Sequence, residues 1–160
     1  MKRLILLIPL LAVVAAAQMN CNLSLMPGTY AVSYSGWVTV PMPGAAPVTV
    51  PGSILGVISI GYDGKINGAG SVAIAPGPST DYDVSGTIQV NSDCTGTLRL
   101  NTKPRLGGPA GTQVDRFIFS LEDRTLLTTM VSINNGYADG YPAVLGTWKR
   151  ISPVPNAASW

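Results

Sequence analysis

The sequence predicts an all-β domain, an eight-stranded antiparallel up-and-down barrel, with a β-sandwich as the alternative because closure is invisible to sequence. Three observations carry this. Apolar and polar residues alternate with period 2 through eight segments. Gly, Pro and Asx clusters separate those segments, mostly at short intervals. No segment past residue 17 sustains a helical period.

In chain order, Lys2-Arg3, the apolar run Leu4 to Val14 and Ala15-Ala16-Ala17 form a signal-peptide pattern over residues 1–17, with cleavage expected before Gln18. A retained N-terminal anchor is the alternative, although the run is short for a membrane span. Residues 18–28 are a lead-in ending in the turn dipeptide Pro27-Gly28, and residues 29–151 are the barrel domain. Thr29 to Val40 is the first strand, with Tyr30, Val32 and Tyr34 on one face. The segment 41–52 carries four prolines and reads as a loop or ragged edge, because proline cannot donate to a ladder.

Ser53 to Tyr62 is the second strand and Lys65 to Ile74 the third, joined by Asp63-Gly64, a hairpin signal of the type I′ kind. Gly68 and Gly70 in the third suggest a bend or a close backbone approach. Asp81 to Leu100 supplies strands four and five around Asn91-Ser92-Asp93. After the loop 103–111 come Thr112 to Leu121, the turn at Glu122-Asp123-Arg124, and Thr125 to Ile133, rich in β-branched residues. A turn-rich loop, 134–142, leads to the eighth strand, Ala143 to Ile151. The tail, 152–160, has no periodicity and is expected to be mobile.

Charge and composition exclude several function classes. Removing Lys2 and Arg3 from ten basic residues leaves eight, against eight acidic ones. A neutral domain has no electrostatic footprint for nucleic acid or for an anionic membrane surface. There is no histidine. That removes Ser-His-Asp and Cys-His catalysis and most zinc sites, and neither a metal nor a cofactor is expected. Cys21 and Cys94 are expected to form one disulfide in an exported protein, secreted or periplasmic. It would close a loop of about 74 residues, worth on the order of 4 kcal/mol. A reactive thiol pair is the weaker reading, since no C-x-x-C occurs.

A run of short motifs then points to a family. Gly28-Thr29-Tyr30, Tyr62-Asp63-Gly64, Ser85-Gly86-Thr87, Val90-Asn91 leading into Asp93-Cys94-Thr95-Gly96-Thr97, and Gly146-Thr147-Trp148-Lys149-Arg150 together resemble small exported bacterial proteins. Those proteins look like the allene oxide cyclase barrel-like superfamily, which also takes in plant dirigent proteins. The resemblance spans roughly Gly28 to Arg150. It implies an eight-stranded barrel with a lumen open at one end, and a homo-oligomer, a trimer in the plant members. Catalytic residues do not transfer, so only the fold is carried over.

The lumen candidates are Tyr30, Tyr34, Tyr82, Arg116 and Trp148, polar or aromatic side chains on faces that also carry apolar residues. For Arg116 the parity is ambiguous, since Phe117 and Phe119 serve equally as the inward pair. The plainer reading is that these side chains fill the core and bond to backbone. Asp81 and Asp83 lie about 6.6 Å apart along one strand by its rise, but alternate with Tyr82 and Val84 and read as solvated.

The function expected first is the binding of a small apolar or aromatic molecule in the lumen. The second is a cyclase or isomerase acting by substrate placement, with Tyr34, Tyr82 and Arg116 as its ionisable candidates. The third is a solid-packed structural or surface-interaction protein using Trp37 and the apolar segment 41–52.

Overall fold

The computed structural model describes residues 20–42, 44–134, 139–140 and 143–153. The signal-peptide segment and tail residues 154–160 therefore lie outside the described residues, as does most of the loop 134–142.

A short 3₁₀ turn, Leu23–Leu25, is capped by Asn22, whose Oδ1 accepts the Ser24 N–H at 3.0 Å. Nine strands follow among the described residues: β1 (Gly28–Met42), β2 (Ala45–Ile60), β3 (Lys65–Ile74), β4 (Thr80–Val90), β5 (Thr95–Pro104), β6 (Gly111–Ser120), β7 (Thr125–Asn134), the two-residue β8 (Asp139–Gly140) and β9 (Ala143–Ser152). Each long strand pairs antiparallel with its neighbour from β1 to β7; β7 pairs with β9, and β9 returns to β1. Eight long strands thus close into an up-and-down barrel, and the sandwich alternative is excluded. Closure leaves no free sheet edge along the wall.

Alternation fills the interior. Tyr30, Val32, Tyr34, Ile58, Ile60, Ile66, Ile88, Leu98, Leu100, Phe117, Phe119, Leu126 and Trp148 are all buried. Among the described residues the charged side chains point outward or lie at an end, with one exception, Asp115.

Two sequence expectations are corrected. Of the two readings of the proline-rich segment 41–52, the edge holds and the loop does not: Met42 ends β1 and residues 45–52 belong to β2. β1 pairs with β9 only as far as Trp37, and β2 with β3 only from Gly52, so beyond these points β1 and β2 form a two-stranded arm past the barrel rim. Proline is tolerated there because each arm strand has one side without a strand partner among the described residues. The Pro51 carbonyl accepts the Ala75 N–H at 3.1 Å, which places the Pro51 edge away from β1, and Pro47 shares that edge by parity.

The second correction concerns Asp63-Gly64. Gly64 alone has positive φ, 76°, and its N–H bonds to the Gly61 carbonyl at 3.1 Å. That is a type I turn followed by a left-handed residue, not a type I′ turn. The same device recurs at Cys94 (φ 66°), whose N–H bonds to the Asn91 carbonyl at 3.2 Å, and a left-handed residue, Arg124 (φ 55°), also ends the turn after β6, both without glycine's freedom.

The three turns lie at one end of the barrel, and the lead-in crosses that end. The Cys21–Cys94 disulfide holds it, the Cys21 N–H bonds to the Ser92 carbonyl at 3.1 Å, and Met26 is fully buried. The Tyr30 hydroxyl donates to the Met26 carbonyl at 2.6 Å. This end is plugged; the opposite end is framed by the arm and by the loops after β3 and β5.

Candidate functional site: the lumen and its polar end

Four of the five lumen candidates point inward: Tyr30, Tyr34, Tyr82 and Trp148 are each at most 8% exposed. Tyr30 belongs to the plug, packed obliquely on Trp148 with ring centroids 6.4 Å apart. Burial raises the pKa of its phenol. Arg116 is a correction. It is exposed and borders a depression of about 650 Å³ on the outer wall, where β5, β6 and β7 run side by side. The physical reason is its neighbours: Phe117 and Phe119 bury two rings, while the opposite parity would have buried a guanidinium.

That choice of parity brings in two residues that sequence reading missed. If Phe117 and Phe119 face inward, so must Asp115 and Gln113, two and four positions before Phe117; both are buried, Asp115 completely. The Tyr34 hydroxyl donates to Asp115 Oδ2, and Trp148 Nε1 donates to the Tyr34 oxygen at 2.8 Å. Gln113 Nε2 lies 2.9 Å from both Asp115 oxygens. The Thr128 hydroxyl is buried beside the Tyr34 hydroxyl without a well-aligned hydrogen bond.

Local sequence makes this reach possible. Tyr34 pairs with Gly146 on β9, and Gly146 pairs with Thr128 on β7. Because Gly146 has no side chain, the Tyr34 ring lies over it and reaches Asp115 on β6; a Cβ there would overlap both the ring and the Thr128 hydroxyl.

Burial sets the electrostatics. Desolvation pushes the Asp115 pKa up to about 6, and the hydrogen bonds from Tyr34 and Gln113 only partly oppose it. Burial also holds the Tyr34 phenol well above its usual range, reinforced by the neighbouring Asp115.

Above this cluster lies an inner cavity of about 40 Å³. Its walls are largely aliphatic, and Tyr34, Gln113 and Trp148 also line it. Glycine makes the room: Gly56 and Gly70 face each other across β2 and β3, and a Cβ on either would press on the neighbouring backbone carbonyl at 2.8–2.9 Å. The cavity is sized for about three water molecules. Tyr82 and Val72 border both it and a recess of about 380 Å³ at the open end. Val40, Ile74, Pro78, Pro104 and Leu106 line that mouth.

Asp81 and Asp83 lie on the outer face as expected. Asp81 accepts from the Ser71 hydroxyl, and Asp83 Oδ1 accepts Arg105 Nε and Nη2, each at 2.8 Å. No group of three or more potential metal ligands occurs among the described residues. No helix among them is long and apolar enough to cross a membrane. No protein-family model matches the chain, and no curated protein is significantly similar to it.

Proposed function

We propose that this protein is an exported binding barrel that takes a small apolar molecule through its open end. The observation that carries the reading is an apolar mouth and an inner cavity that share Tyr82 and Val72 as a common wall, the cavity being bordered on its far side by Tyr34, Gln113 and Trp148. An apolar pocket with a few convergent polar groups is the usual form of a small-molecule site. The disulfide fits an oxidising compartment, secreted or periplasmic. Kinship with the allene oxide cyclase barrel-like superfamily would supply the same architecture.

A cyclase or isomerase ranks second. Tyr34 and Asp115 beside the cavity favour it, but the Tyr34 proton is already committed to Asp115 and its oxygen to Trp148.

Thermal unfolding with a panel of neutral aliphatic and aromatic compounds tests the first reading. A ligand at a hundred times its Kd stabilises the native barrel by about 2.7 kcal/mol. Tyr82→Trp, which enlarges the side chain that borders both mouth and cavity, should reduce that gain. The reading fails if no compound raises Tm, or if the shifts are indifferent to residue 82.

A further inference from the structure

The open end carries an apolar surface outside the lumen. No charged side chain occurs between Arg3 and Asp63, so β1, β2 and the arm they form are uncharged throughout. By strand rise the arm reaches roughly 17 Å from the Trp37–Pro51 pair to its tip. Its base leans on the barrel: Val38 is buried, and Val40 and Val50 pack against the core. Its far part does not. Met42 and Val48 are 47% and 46% exposed, and Ala45, Ala46 and Pro47 beside them are exposed as well. Trp37, on the other face at the base, is 55% exposed, and Leu106 on the rim of the mouth stands almost fully in solvent. The loop after β3, residues 75–79, is also uncharged. Asp81, Asp83, Lys103 and Arg105 stand beside this end, two of each sign, with Arg105 paired to Asp83. The apolar groups of the arm and of the loop after β5 thus gather at one end, with no net charge beside them.

The arm's polar groups indicate what covers it. Its two threonines, Thr39 and Thr49, face each other with hydroxyls 3.2 Å apart. Pro41, Pro47 and Pro51 bring no N–H to its strands. A protein partner that adds a strand to an edge needs those N–H groups, so prolines oppose it. A lipid surface favours the same feature, because an N–H left unpaired in an apolar medium is costly. The remaining edge carbonyls keep such an arm at the interface and out of the hydrocarbon core.

We propose that the open end rests on a net-neutral lipid surface, the arm tip with Met42 and Val48 dipping roughly 5–10 Å into the interface and Trp37 and Leu106 at headgroup level. The mouth then faces the bilayer. Binding of lipid by the arm does not depend on any ligand in the lumen.

The test is flotation with phosphatidylcholine vesicles. It uses the disulfide-bonded chain from Gln18 onward, which contains the whole described barrel and plug and omits the apolar run Leu4 to Val14, itself able to bind lipid. The chain is expected to float, with partition changing less than about twofold from low to high salt, since no charge attraction is involved. Val48→Asp should lower partition about tenfold. Leu127→Asp, at a 57% exposed position on the outer wall, should leave it unchanged. Failure to float, or flotation that needs anionic lipid and is lost in salt, overturns the inference. So does an equal loss in Leu127→Asp, which would mean general stickiness. A chain that ignores vesicles but forms a dimer broken by Val48→Asp also overturns it, and makes the arm a contact between copies. The lipid and salt comparisons on the native chain stand even if a variant fails to fold. Tyr82→Trp should float like the native chain, so this inference and the binding barrel fall separately.

Discussion

The two ends of the barrel are built to opposite plans. At the plugged end three short turns carry the same chemistry at a constant interval: Asp63, Asp93 and Asp123 each precede a left-handed residue, Gly64, Cys94 and Arg124. The Asp63 and Asp93 carboxylates accept the backbone N–H two residues on, at 3.0 Å in both cases. Separate turns are tied together there, through Ile88 N–H to the Gly64 carbonyl at 3.0 Å and Phe119 N–H to the Cys94 carbonyl at 2.8 Å. The open end has longer loops whose backbone bonds are either local, such as Gly77 N–H to the Ile74 carbonyl at 2.8 Å, or reach only the adjacent strand, such as Ala75 N–H to the Pro51 carbonyl at 3.1 Å. Stability is concentrated at one end, and the other is left free to border space.

The largest expected effect comes from cutting the plugged end loose. Replacing Cys21 and Cys94 together by Ala frees a crosslink between residues 73 apart in sequence and should cost about 4 kcal/mol. Chemical denaturation reads this as a lower midpoint with the lead-in no longer protected from amide exchange. A loss below about 1 kcal/mol would mean that Met26, Tyr30 and the three turns hold the plug without the disulfide, and the contrast between the ends would rest on packing instead.

The second effect lies between the ends, at Asp115, and it runs against ordinary acid denaturation. The folded-state pKa of Asp115 is about 6, above the 3.8 of a free carboxyl, so the folded protein binds a proton more readily than the unfolded chain does. Burying this carboxylate ionised therefore costs stability at pH 7, on the order of 3 kcal/mol. That cost disappears as pH falls through about 6 and is fully relieved below the unfolded value. The turn aspartates have the opposite sign. Hydrogen bonds lower the pKa of Asp63, Asp93 and Asp123, so what they contribute is present above the unfolded value and is lost as pH falls below it. Thermal stability should rise from pH 7 to about 4.5 and then fall. Asp115→Asn should flatten the rise and leave the fall. A monotonic decline from pH 7 would place Asp115 in water and undo the buried cluster.

What sequence could show divides along the same line. The walls were legible because period 2 holds through most of the long strands, although β7 carries a bulge and β3 loses the alternation after Asn67, and the plug was legible in Cys21 and Cys94. The arm was legible only in part: four prolines read as loop or ragged edge because a ladder normally needs their N–H, and nothing in the sequence showed a two-stranded extension whose outer edges can carry them. At the site, Tyr34, Tyr82 and Trp148 were visible as aromatics in phase with aliphatic neighbours. Asp115 was hidden by a rule that is nearly always right, that charged residues on strands face water. Yet Asp115 and Arg116 are adjacent, so alternation sends one of them inward whichever parity holds. Phe117 and Phe119 decide which. The recurring turn aspartate at positions 63, 93 and 123 was also present in the sequence, but its left-handed partner changes from Gly to Cys to Arg, and that change conceals it.

The smallest effect on stability is expected where the effect on function should be clearest. Leu106 in the loop after β5 is 92% exposed, yet it borders the mouth. An apolar side chain so exposed adds little to folding, and Leu106→Ser should change stability by less than about 0.5 kcal/mol. If the mouth admits an apolar chain, removing that side chain takes away contact area that only a ligand covers, and affinity for a long chain should drop two- to threefold, roughly the worth of a partly covered Leu. A short ligand held wholly in the inner cavity should not notice the change. Measured together, the long and short ligands separate the mouth from the cavity. A loss of stability as large as that at Asp115 would instead show the loop folded into the core, and the two ends would then differ in loop length alone.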